Sequence, residues 1–374
     1  MKIKSFKYKD LKSNVEVENV EFHDFSILVG VSGAGKTTII NGIRDILRIL
    51  KGRKTHSKEW SITFTTNEDV EVIWSGVVSP DYSTFIDEEN GEAETYAPIS
   101  FEQLSIDGEL LIDISDSQKL FKGNDLPVLD SSTSFFHQLR NDEKLKEAYN
   151  SLQAIVLLNE HVYSPQFLGL ANESKFERLK KECTDSLDAI KSEKLDTRER
   201  IYYASLFDKD QYEYFNAICS TIFENIKLVI PVLSDSDFPF AKNDDFKTLS
   251  IKLELSSGEI VEQRDISSGM FKTIIVIAEV ILGSRNNPII IDEIENSLGV
   301  NCLPSVLDEL ETAMRQVIIT THHPKIINKI PVKHWKIVNR SNNIIRTFSA
   351  DKISNSSSRH DNYIKLINSN IYKG

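Results

Sequence analysis

Hydrophobic and polar positions alternate with strand-like and helix-like periods towards both ends of the chain. Residues 2–22 alternate in the manner of β-strands and lead into the apolar segment FSILVG at 25–30. A glycine-rich loop then precedes the amphipathic run IINGIRDILRILKG at 39–52, which predicts a helix. In the last third, apolar strands predicted at 288–294 and 316–323 flank another amphipathic helix. We therefore expect one α/β core to which both ends of the chain contribute.

The middle of the chain shows a change of pattern. Strand-like hairpins are predicted at 61–78 and 99–115, whereas the apolar residues from about 141 to 228 follow a helical period with almost no glycine. This stretch predicts a helical lobe that interrupts the α/β core. The expected divisions are an N-terminal core part at 1–110, a mainly helical lobe at 111–247, a C-terminal core part at 248–345 and a polar tail with a short helix at 346–374.

Composition limits the classes of protein. The 374 residues are 40% hydrophobic and 27% charged, which suffices for one large domain or two ordinary ones with a buried core. A formal net charge of -12 argues against binding nucleic acid over the whole surface. Cys183, Cys219 and Cys302 form no pair at metal-ligand spacing, which favours reduced thiols. The sequence predicts neither a signal peptide nor a membrane span, so we expect a cytoplasmic protein without membrane contact.

The loop GVSGAGKTT at 30–38 matches the phosphate-binding P-loop pattern. It follows an apolar strand and opens a helix, so that backbone amides and the helix N-terminus would surround phosphate oxygens. Lys36 is predicted to reach the β and γ phosphates, and the Thr37 hydroxyl to bind Mg²⁺. The predicted ligands are therefore ATP and Mg²⁺. The predicted nucleotide-binding residues of the loop are Gly30, Ser32, Gly33, Ala34, Gly35, Lys36, Thr37 and Thr38.

Two later strands end in polar residues that suit such a site. The strand at 288–291 ends at Asp292, predicted to hold Mg²⁺, and at Glu293, predicted to take a proton from the attacking water. The strand VIITT runs up to His322, which we expect at the same sheet edge, within reach of the γ phosphate. An acid or a histidine at a strand end is common for structural reasons alone. Together with Lys36, however, these residues predict a hydrolytic site.

The order of these motifs resembles that of the ATP-binding-cassette (ABC) ATPases. Within them, the chain is similar to the soluble branch that includes SMC proteins, RecF repair proteins and the standalone ATPases of bacterial anti-phage systems. The matching features are the P-loop, the helix start DISSGMFKT at 265–273 about 25 residues before the acidic pair, and His322 about 30 residues after it. The resemblance covers roughly 1–110 and 248–345, and it implies an ABC-type P-loop NTPase core with a mixed sheet, interrupted by the helical lobe.

The resemblance also implies a role for Ser267, Ser268 and Gly269. Taken alone, a Ser-Ser pair before an apolar run predicts an ordinary helix N-cap. In the family, the matching residues complete the ATP site of a second protomer, with a helix N-terminus facing the γ phosphate. The resemblance therefore implies a homodimer, or a higher homo-oligomer, that ATP joins and ADP does not.

The sequence departs from the common family pattern at three positions, and one family feature has several candidates. Where this chain has Ser32, asparagine is frequent in the family. Met270 stands in place of a polar residue, and His323 stands where serine is frequent. None of these changes removes a predicted phosphate or metal ligand. The Q-loop glutamine stays open among Gln103, Gln118 and Gln138.

The implied function is an ATP-driven dimerisation switch. By resemblance, its setting is a bacterial anti-phage defence system, in which the protein would act as the sensor or regulatory subunit of a separate toxic effector, such as a nuclease. The predicted lobe lacks the sustained heptads of a long SMC arm, and no TOPRIM nuclease domain is predicted. The main alternative is a RecF-like DNA-binding ATPase in repair or recombination. The motor of a membrane transporter and a nucleotide-binding scaffold without turnover are further alternatives.

Three further clusters have simpler explanations than chemistry. Asp235 and Asp237 follow an apolar strand like the DxD of a TOPRIM nuclease, but no accompanying glutamate-bearing strand is predicted. The acidic loop at 87–94 is typical of a solvated surface. The third cluster is a group of cations on and just after the first predicted helix. Cations at the end of a helix are favoured by the helix dipole, and the alternative explanation is contact with nucleic-acid phosphates. These cations are Arg44, Arg48, Lys51, Arg53, Lys54 and Lys58.

Overall fold

A computed structural model describes residues 1–79, 83–86, 93–158, 164–166, 168–182, 195–235, 246–296, 302–350 and 358–373. The strands in these ranges are β1 (Lys2–Asp10), β2 (Val15–Glu21), β3 (Phe25–Val29), β4 (Lys58–Thr65), β5 (Glu71–Val78), β6 (Ser83–Ile86), β7 (Ala93–Tyr96), β8 (Ile99–Ile106), β9 (Glu109–Ile114), β10 (Lys119–Phe121), β11 (Asn124–Asp125), β12 (Val156–Leu158), β13 (Gly169–Asn172), β14 (Ile226–Asp235), β15 (Phe246–Leu255), β16 (Ile260–Glu262), β17 (Ile289–Ile291), β18 (Val317–Thr321), β19 (Trp335–Ser341) and β20 (Ile344–Ser349). The α-helices are α1 (Lys36–Leu50), α2 (Phe135–Gln138), α3 (Glu143–Gln153), α4 (Glu173–Glu182), α5 (Thr197–Phe207), α6 (Lys209–Ile222), α7 (Ser268–Leu282), α8 (Leu303–Thr312), α9 (Pro324–Lys329), α10 (Arg359–Asn368) and α11 (Asn370–Lys373).

The chain divides into two compact units. The first comprises Met1–Leu157, Asn286–Glu293 and Arg315–Gly374, and the second comprises Leu158–Arg285 and Ile294–Met314. The first unit thus combines segments that are distant in sequence. No helix in the described part of the chain has both the length and the apolar character needed to cross a bilayer.

A mixed sheet of 14 strands forms the framework of the first unit, as the predicted α/β class requires. Its order is β11-β10-β9-β8-β5-β4-β1-β2-β20-β19-β3-β18-β17-β12. The neighbours from β11 to β2 are antiparallel, whereas β19, β3, β18 and β17 are parallel to one another. The parallel strand β3 is buried at every position, and the antiparallel β4 alternates between buried and more exposed residues. A strand covered on both faces of the sheet is buried throughout, as β3 is, whereas a strand covered on one face alternates, as β4 does.

The main hydrophobic core of the first unit lies between this sheet and α1. The helix buries residues with the helical spacing that its sequence predicted, among them Ile39, Ile43, Ile46 and Leu50. Each fully buried side chain of this size stabilises the fold by roughly 1.5–3 kcal/mol. The helix that follows the P-loop is therefore fixed to the sheet along its length.

A buried carboxylate joins β8 to α2 in the same unit. Glu102 accepts hydrogen bonds from the Trp74 indole at 2.9 Å, from the Ser134 hydroxyl at 2.7 Å and from the backbone N–H groups of Phe135 and Phe136 at 2.7 and 3.2 Å. Burial raises the pKa of Glu102, and the four donors oppose that shift. The contacts supply acceptors for the first turn of α2 and fix it against the sheet.

The second unit combines a small antiparallel sheet with helices. β15 pairs with β13 and β14, and β16 pairs with β15. α5 begins with a capping box formed by Asp196 and Glu199. Its first residue, Thr197, donates to Glu279 of α7 at 3.2 Å, and Arg200 forms an ion pair with the same carboxylate at 3.6 Å. These buried polar contacts join α5 to α7.

Three strands occur within residues 141–228, where the sequence predicted a helical period. β12 follows α3 at Val156–Leu158, β13 spans Gly169–Asn172, and β14 begins at Ile226, within the last residues of that stretch. β12 is a short apolar run, which fits a buried strand as well as a helix when only its pattern is considered. β14 lies at the edge of its sheet and contains Pro231. A proline has no N–H to donate to a neighbouring strand, and the outer side of an edge strand needs no such donor.

Candidate functional site

The parallel strands of the first unit bring the predicted site segments to one edge of the sheet. β3, β18 and β17 are successive neighbours, and their carboxyl ends lead to the P-loop, to His322 and to Asp292. In open sheets with parallel strands, ligands bind at this edge. The apolar strands therefore place polar loops side by side, although the loops are far apart in sequence.

The P-loop has a backbone that only glycine adopts readily at two positions. Gly33 and Gly35 have φ angles of 82° and 100°, in the left-handed region. A Cβ at Gly35 would also overlap the side chain of Ile345. α1 begins at the next residue, and among the described residues no side chain caps its N-terminus. The N–H groups of its first turn therefore suit phosphate oxygens as acceptors.

Lys36 lies inside this loop. Its side-chain nitrogen donates to the backbone oxygens of Gly30 at 2.8 Å and Val31 at 3.0 Å, and the residue is only 6% exposed. These bonds hold a compact positive charge next to the amides of the loop. The arrangement fits the binding of a phosphate chain.

A chain of hydrogen bonds connects β18, the strand beside β3, to the end of β17. The Thr320 hydroxyl donates to Asp292 Oδ1 at 2.6 Å and accepts the backbone N–H of Glu293 at 2.7 Å. The Thr37 hydroxyl lies 3.5 Å from the same Asp292 oxygen. A hydroxyl and a carboxylate are ligands of the kind that Mg²⁺ prefers, and this ion usually takes only one or two carboxylates together with phosphate oxygens and water. Thr37 and Asp292 therefore fit the predicted metal role.

Glu293 has an unusual backbone conformation. Its φ angle of 44° lies in the left-handed region, which is uncommon for a residue other than glycine. Such a conformation costs roughly 1–3 kcal/mol and persists where surrounding contacts hold it. Here the bond from its N–H to Thr320 is such a contact. The strand therefore ends in a sharp change of direction at the predicted catalytic base.

The two histidines after β18 differ in their contacts. His323 accepts a hydrogen bond at Nδ1 from the Lys325 N–H at 3.2 Å and caps α9, while its own N–H donates to Thr321. His322 is exposed at the end of β18. The departure from serine at position 323 therefore retains a side-chain acceptor for the cap, and His322 stays the predicted sensor of the γ phosphate.

The start of α7 belongs to the second unit and has the geometry of an N-cap. The Ser267 hydroxyl accepts the N–H of Met270 at 3.3 Å. Ser267 and Ser268 are exposed, whereas the helix is buried from Phe271 onwards. The simpler explanation of the Ser-Ser pair as a cap is thus confirmed. Its exposure leaves the first turn accessible to a second molecule.

Several other predicted residues have structural partners. The Gln103 and Gln118 amides both donate to Asp113, and the Gln138 amide donates to two backbone oxygens of the preceding loop. Lys58 is buried and bonded to Asp45 and Tyr8, so it does not belong to an exposed cationic surface. Asp235 is the last residue of β14, and its side chain lies outside the described part of the structure. Cys183, Asp237 and the acidic residues at 87–92 lie outside the described residues.

Sequence reasoning missed two features near the P-loop. It gave no role to the Thr320 hydroxyl, which only the pairing of β17 with β18 identifies. It also assigned the C-terminal helix to a polar tail, whereas Tyr372 and three residues of β19 and the turn after it border a cavity beside the P-loop. No local motif marks these residues.

Solved structures with a similar fold are SMC head domains. The "Crystal structure of the SmcHead bound to the C-winged helix domain of ScpA" has 14% sequence identity and a TM-score of 0.52, over 94% of this chain and 99% of that one. A Pyrococcus furiosus Smc head bound to the C-terminal domain of ScpA has 14% identity and a TM-score of 0.49, over 94% and 97% of the two chains. The Thermotoga maritima SMC head has 12% identity and a TM-score of 0.42, over 93% and 99%.

The first of these similarities confirms the predicted ABC-type fold, and at such low identity it concerns the fold alone. A comparison with curated proteins gives no match. The model of one protein family matches residues 25–328, well over half of the chain. The protein therefore belongs to this family, which is described as "AAA domain, putative AbiEii toxin, Type IV TA system", and its fold is similar to that of an SMC head domain.

Proposed function

We propose that the protein hydrolyses ATP and acts as a switch whose ATP site is shared by two copies of the chain. The observation that carries the proposal is the contact chain Thr37–Asp292–Thr320–Glu293 at one sheet edge. It joins α1 to the ends of β17 and β18, and β18 is the neighbour of β3, which leads into the P-loop with its buried lysine. A purely structural loop would need neither the lysine nor the acids.

The proposed roles follow from the chemistry of the side chains. Residues 30–38 and Lys36 would bind the phosphates of ATP, and Thr37 and Asp292 would hold Mg²⁺. When bound, the metal supplies positive charge that offsets the phosphate charge. Glu293 would orient a water molecule and accept its proton as the water oxygen bonds to the γ phosphorus and ADP leaves. His322 would contact the γ phosphate from the end of β18.

The helix start in the second unit supplies the argument for two copies. Ser267, Ser268 and Gly269 would bind the γ phosphate held by another copy, since an accessible helix N-terminus attracts the charged group that hydrolysis removes. A homodimer, or a higher homo-oligomer, would therefore form with ATP and separate with ADP.

The biological setting we propose is a bacterial anti-phage defence system. The protein would be the cytoplasmic sensor or regulatory subunit of a separate toxic effector. The family description names a toxin and a TA system, and the similar SMC head is described as bound to a separate winged-helix domain. The second description supports a protein partner, and the first supports a setting in a toxin system.

A RecF-like ATPase in DNA repair or recombination is the second candidate. The end of α1 and the segment after it expose Arg48 and Arg53, at the place where the sequence suggested phosphate contacts. DNA binding that weakens with salt and strengthens with ATP would favour this candidate. Activity that depends on a separate effector would favour the first.

The test of hydrolysis is a comparison of Glu293→Gln with the parent protein. We expect the parent to release phosphate from ATP in the presence of Mg²⁺, and the variant to lose about 10²–10⁴-fold in kcat, because an amide cannot accept the proton. The variant should still bind ATP. Glu311→Gln, at an exposed position of α8, serves as the control with unchanged turnover. Equal rates for Glu293→Gln and the parent would remove the catalytic role.

A further inference from the structure

A cavity of about 240 Å³ lies beside the P-loop in the first unit. Residues 31–34 of the P-loop form one wall, and Asn339, Arg340, Asn342 and Tyr372 form the other. Its volume is below the range of about 300–1,000 Å³ that is usual for drug-sized ligands. The cavity therefore suits one part of a nucleotide better than a whole one.

The cavity lies on the opposite side of the P-loop strand from the predicted hydrolytic residues. β18 and β17, which carry His322 and Asp292, lie on one side of β3, and β19 lies on the other. β19 runs parallel to β3, so its carboxyl end reaches the same sheet edge. A nucleotide whose γ phosphate points towards Asp292 and Glu293 must extend its nucleoside away from them. The β19 side is open to it.

The side chains around the cavity match the chemistry of a purine nucleoside. The half-buried Tyr372 offers an aromatic ring, and the exposed Arg340 offers a planar guanidinium that stacks on rings or binds a phosphate oxygen. The Asn339 amide nitrogen donates to the Ile371 oxygen at 2.7 Å, so its oxygen is the atom that can accept from a ligand. The cavity thus offers an aromatic face, a cation and an amide acceptor to a ligand.

The C-terminal helix is fixed at this place by contacts of its own. The bond from Asn339 to Ile371 joins α11 to β19, and the Tyr372 N–H donates to the Ser369 hydroxyl at 3.2 Å. Burial, with a smaller contribution from Tyr363, raises the pKa of the Tyr372 hydroxyl above its ordinary value. Tyr372 is therefore held as a neutral aromatic wall.

We propose that this cavity binds the base and ribose of the nucleotide, with Tyr372 stacking on the base and Arg340 contacting the base or the ribose. The inference rests on the proposed ATP-binding function and adds to it the residues that distinguish a nucleoside triphosphate from a bare triphosphate. The C-terminal helix then belongs to the nucleotide site.

The test compares the binding of ATP and of inorganic tripolyphosphate by isothermal titration calorimetry, with Mg²⁺ present and the full chain. We expect Tyr372→Ala and Arg340→Ala to weaken ATP binding about tenfold and to leave tripolyphosphate binding unchanged, because only the nucleoside reaches the cavity. Tyr372→Phe keeps the ring and should bind ATP like the parent protein. Tyr214→Ala, at an exposed position of α6, is the matched control.

Retained tripolyphosphate binding shows that a variant is folded around its P-loop. Unchanged ATP affinity in Tyr372→Ala and Arg340→Ala would overturn the inference while leaving the proposed function intact. An equal loss of both ligands would overturn it too, since the cavity would then act only through the shape of the P-loop. A parent protein that binds neither ligand would overturn the proposed function and the inference with it.

Discussion

Thr320 has no motif to mark it, yet it contacts both acidic positions of the candidate site. It is fully buried at the end of β18, where its hydroxyl bonds to the Asp292 carboxylate and to the Glu293 N–H. The two acids follow the neighbouring strand β17, and Thr320 lies 28 residues after Asp292 in the sequence. One hydroxyl thus fixes the proposed metal ligand and the strained backbone of the predicted base.

Replacing this hydroxyl should affect turnover more than binding. We expect Thr320→Val, which keeps the side-chain shape, to lower kcat for ATP about 10- to 100-fold with little change in ATP affinity, because Asp292 and Glu293 lose their orientation. Thr320→Ser keeps the hydroxyl and should retain most of the activity. Steady-state ATPase kinetics with an independent binding measurement check this. Similar losses in both variants would indicate a packing role instead.

Among the elements, the start of α7 has two explanations that a single substitution separates. As an N-cap, Ser267 supplies one acceptor to its helix, which contributes about 1 kcal/mol to stability. As part of a shared ATP site, it would instead contact the γ phosphate of a second copy. An aspartate satisfies the first role equally well and opposes the second by charge repulsion.

We therefore expect Ser267→Asp to leave the free energy of unfolding within about 0.5 kcal/mol of the parent value while abolishing ATP-dependent self-association. Urea denaturation measures the first quantity, and sedimentation with ATP or ADP measures the second. Ser257→Asp, in the β15–β16 turn of the same unit, is a control for added charge. A Ser267→Asp protein that still dimerises with ATP would leave Ser267 only as a cap.

The elements that the sequence predicted are those whose pattern is long or is bounded by clear signals. α1, α7 and the hairpin β4–β5 overlap the segments that the sequence predicted. β12 was missed because a few apolar residues have no distinctive period, and the pairing partner decides their structure. For β12 that partner is the segment before β17, since the Val156 N–H donates to the Pro288 oxygen.

For the whole molecule, the candidate site was predictable as far as its residues belong to motifs. The P-loop, Asp292 and Glu293 come from segments more than 250 residues apart, but each carries a recognisable pattern next to an apolar strand. The cavity wall at Tyr372 and Arg340 was not predictable, because it depends on how β19 and α11 meet in space. Sequence patterns identify the phosphate side of the site, and only the fold identifies the other side.

A shared site has a consequence for mixtures of inactive chains. Lys36→Ala should lose phosphate binding, and Ser267→Arg should fail to complete the site of its partner. In a mixed dimer, the Lys36 of the second variant would face the Ser267 of the first, so that one intact site forms. Random pairing in a two-fold dimer then restores roughly a quarter of the parent activity.

The decisive measurement is the ATPase rate of an equal mixture of Lys36→Ala and Ser267→Arg, compared with each variant alone at the same total concentration. Two copies that share each nucleotide predict almost no activity for either variant and clear recovery in the mixture. A mixture no more active than the sum of the separate variants would contradict a shared site.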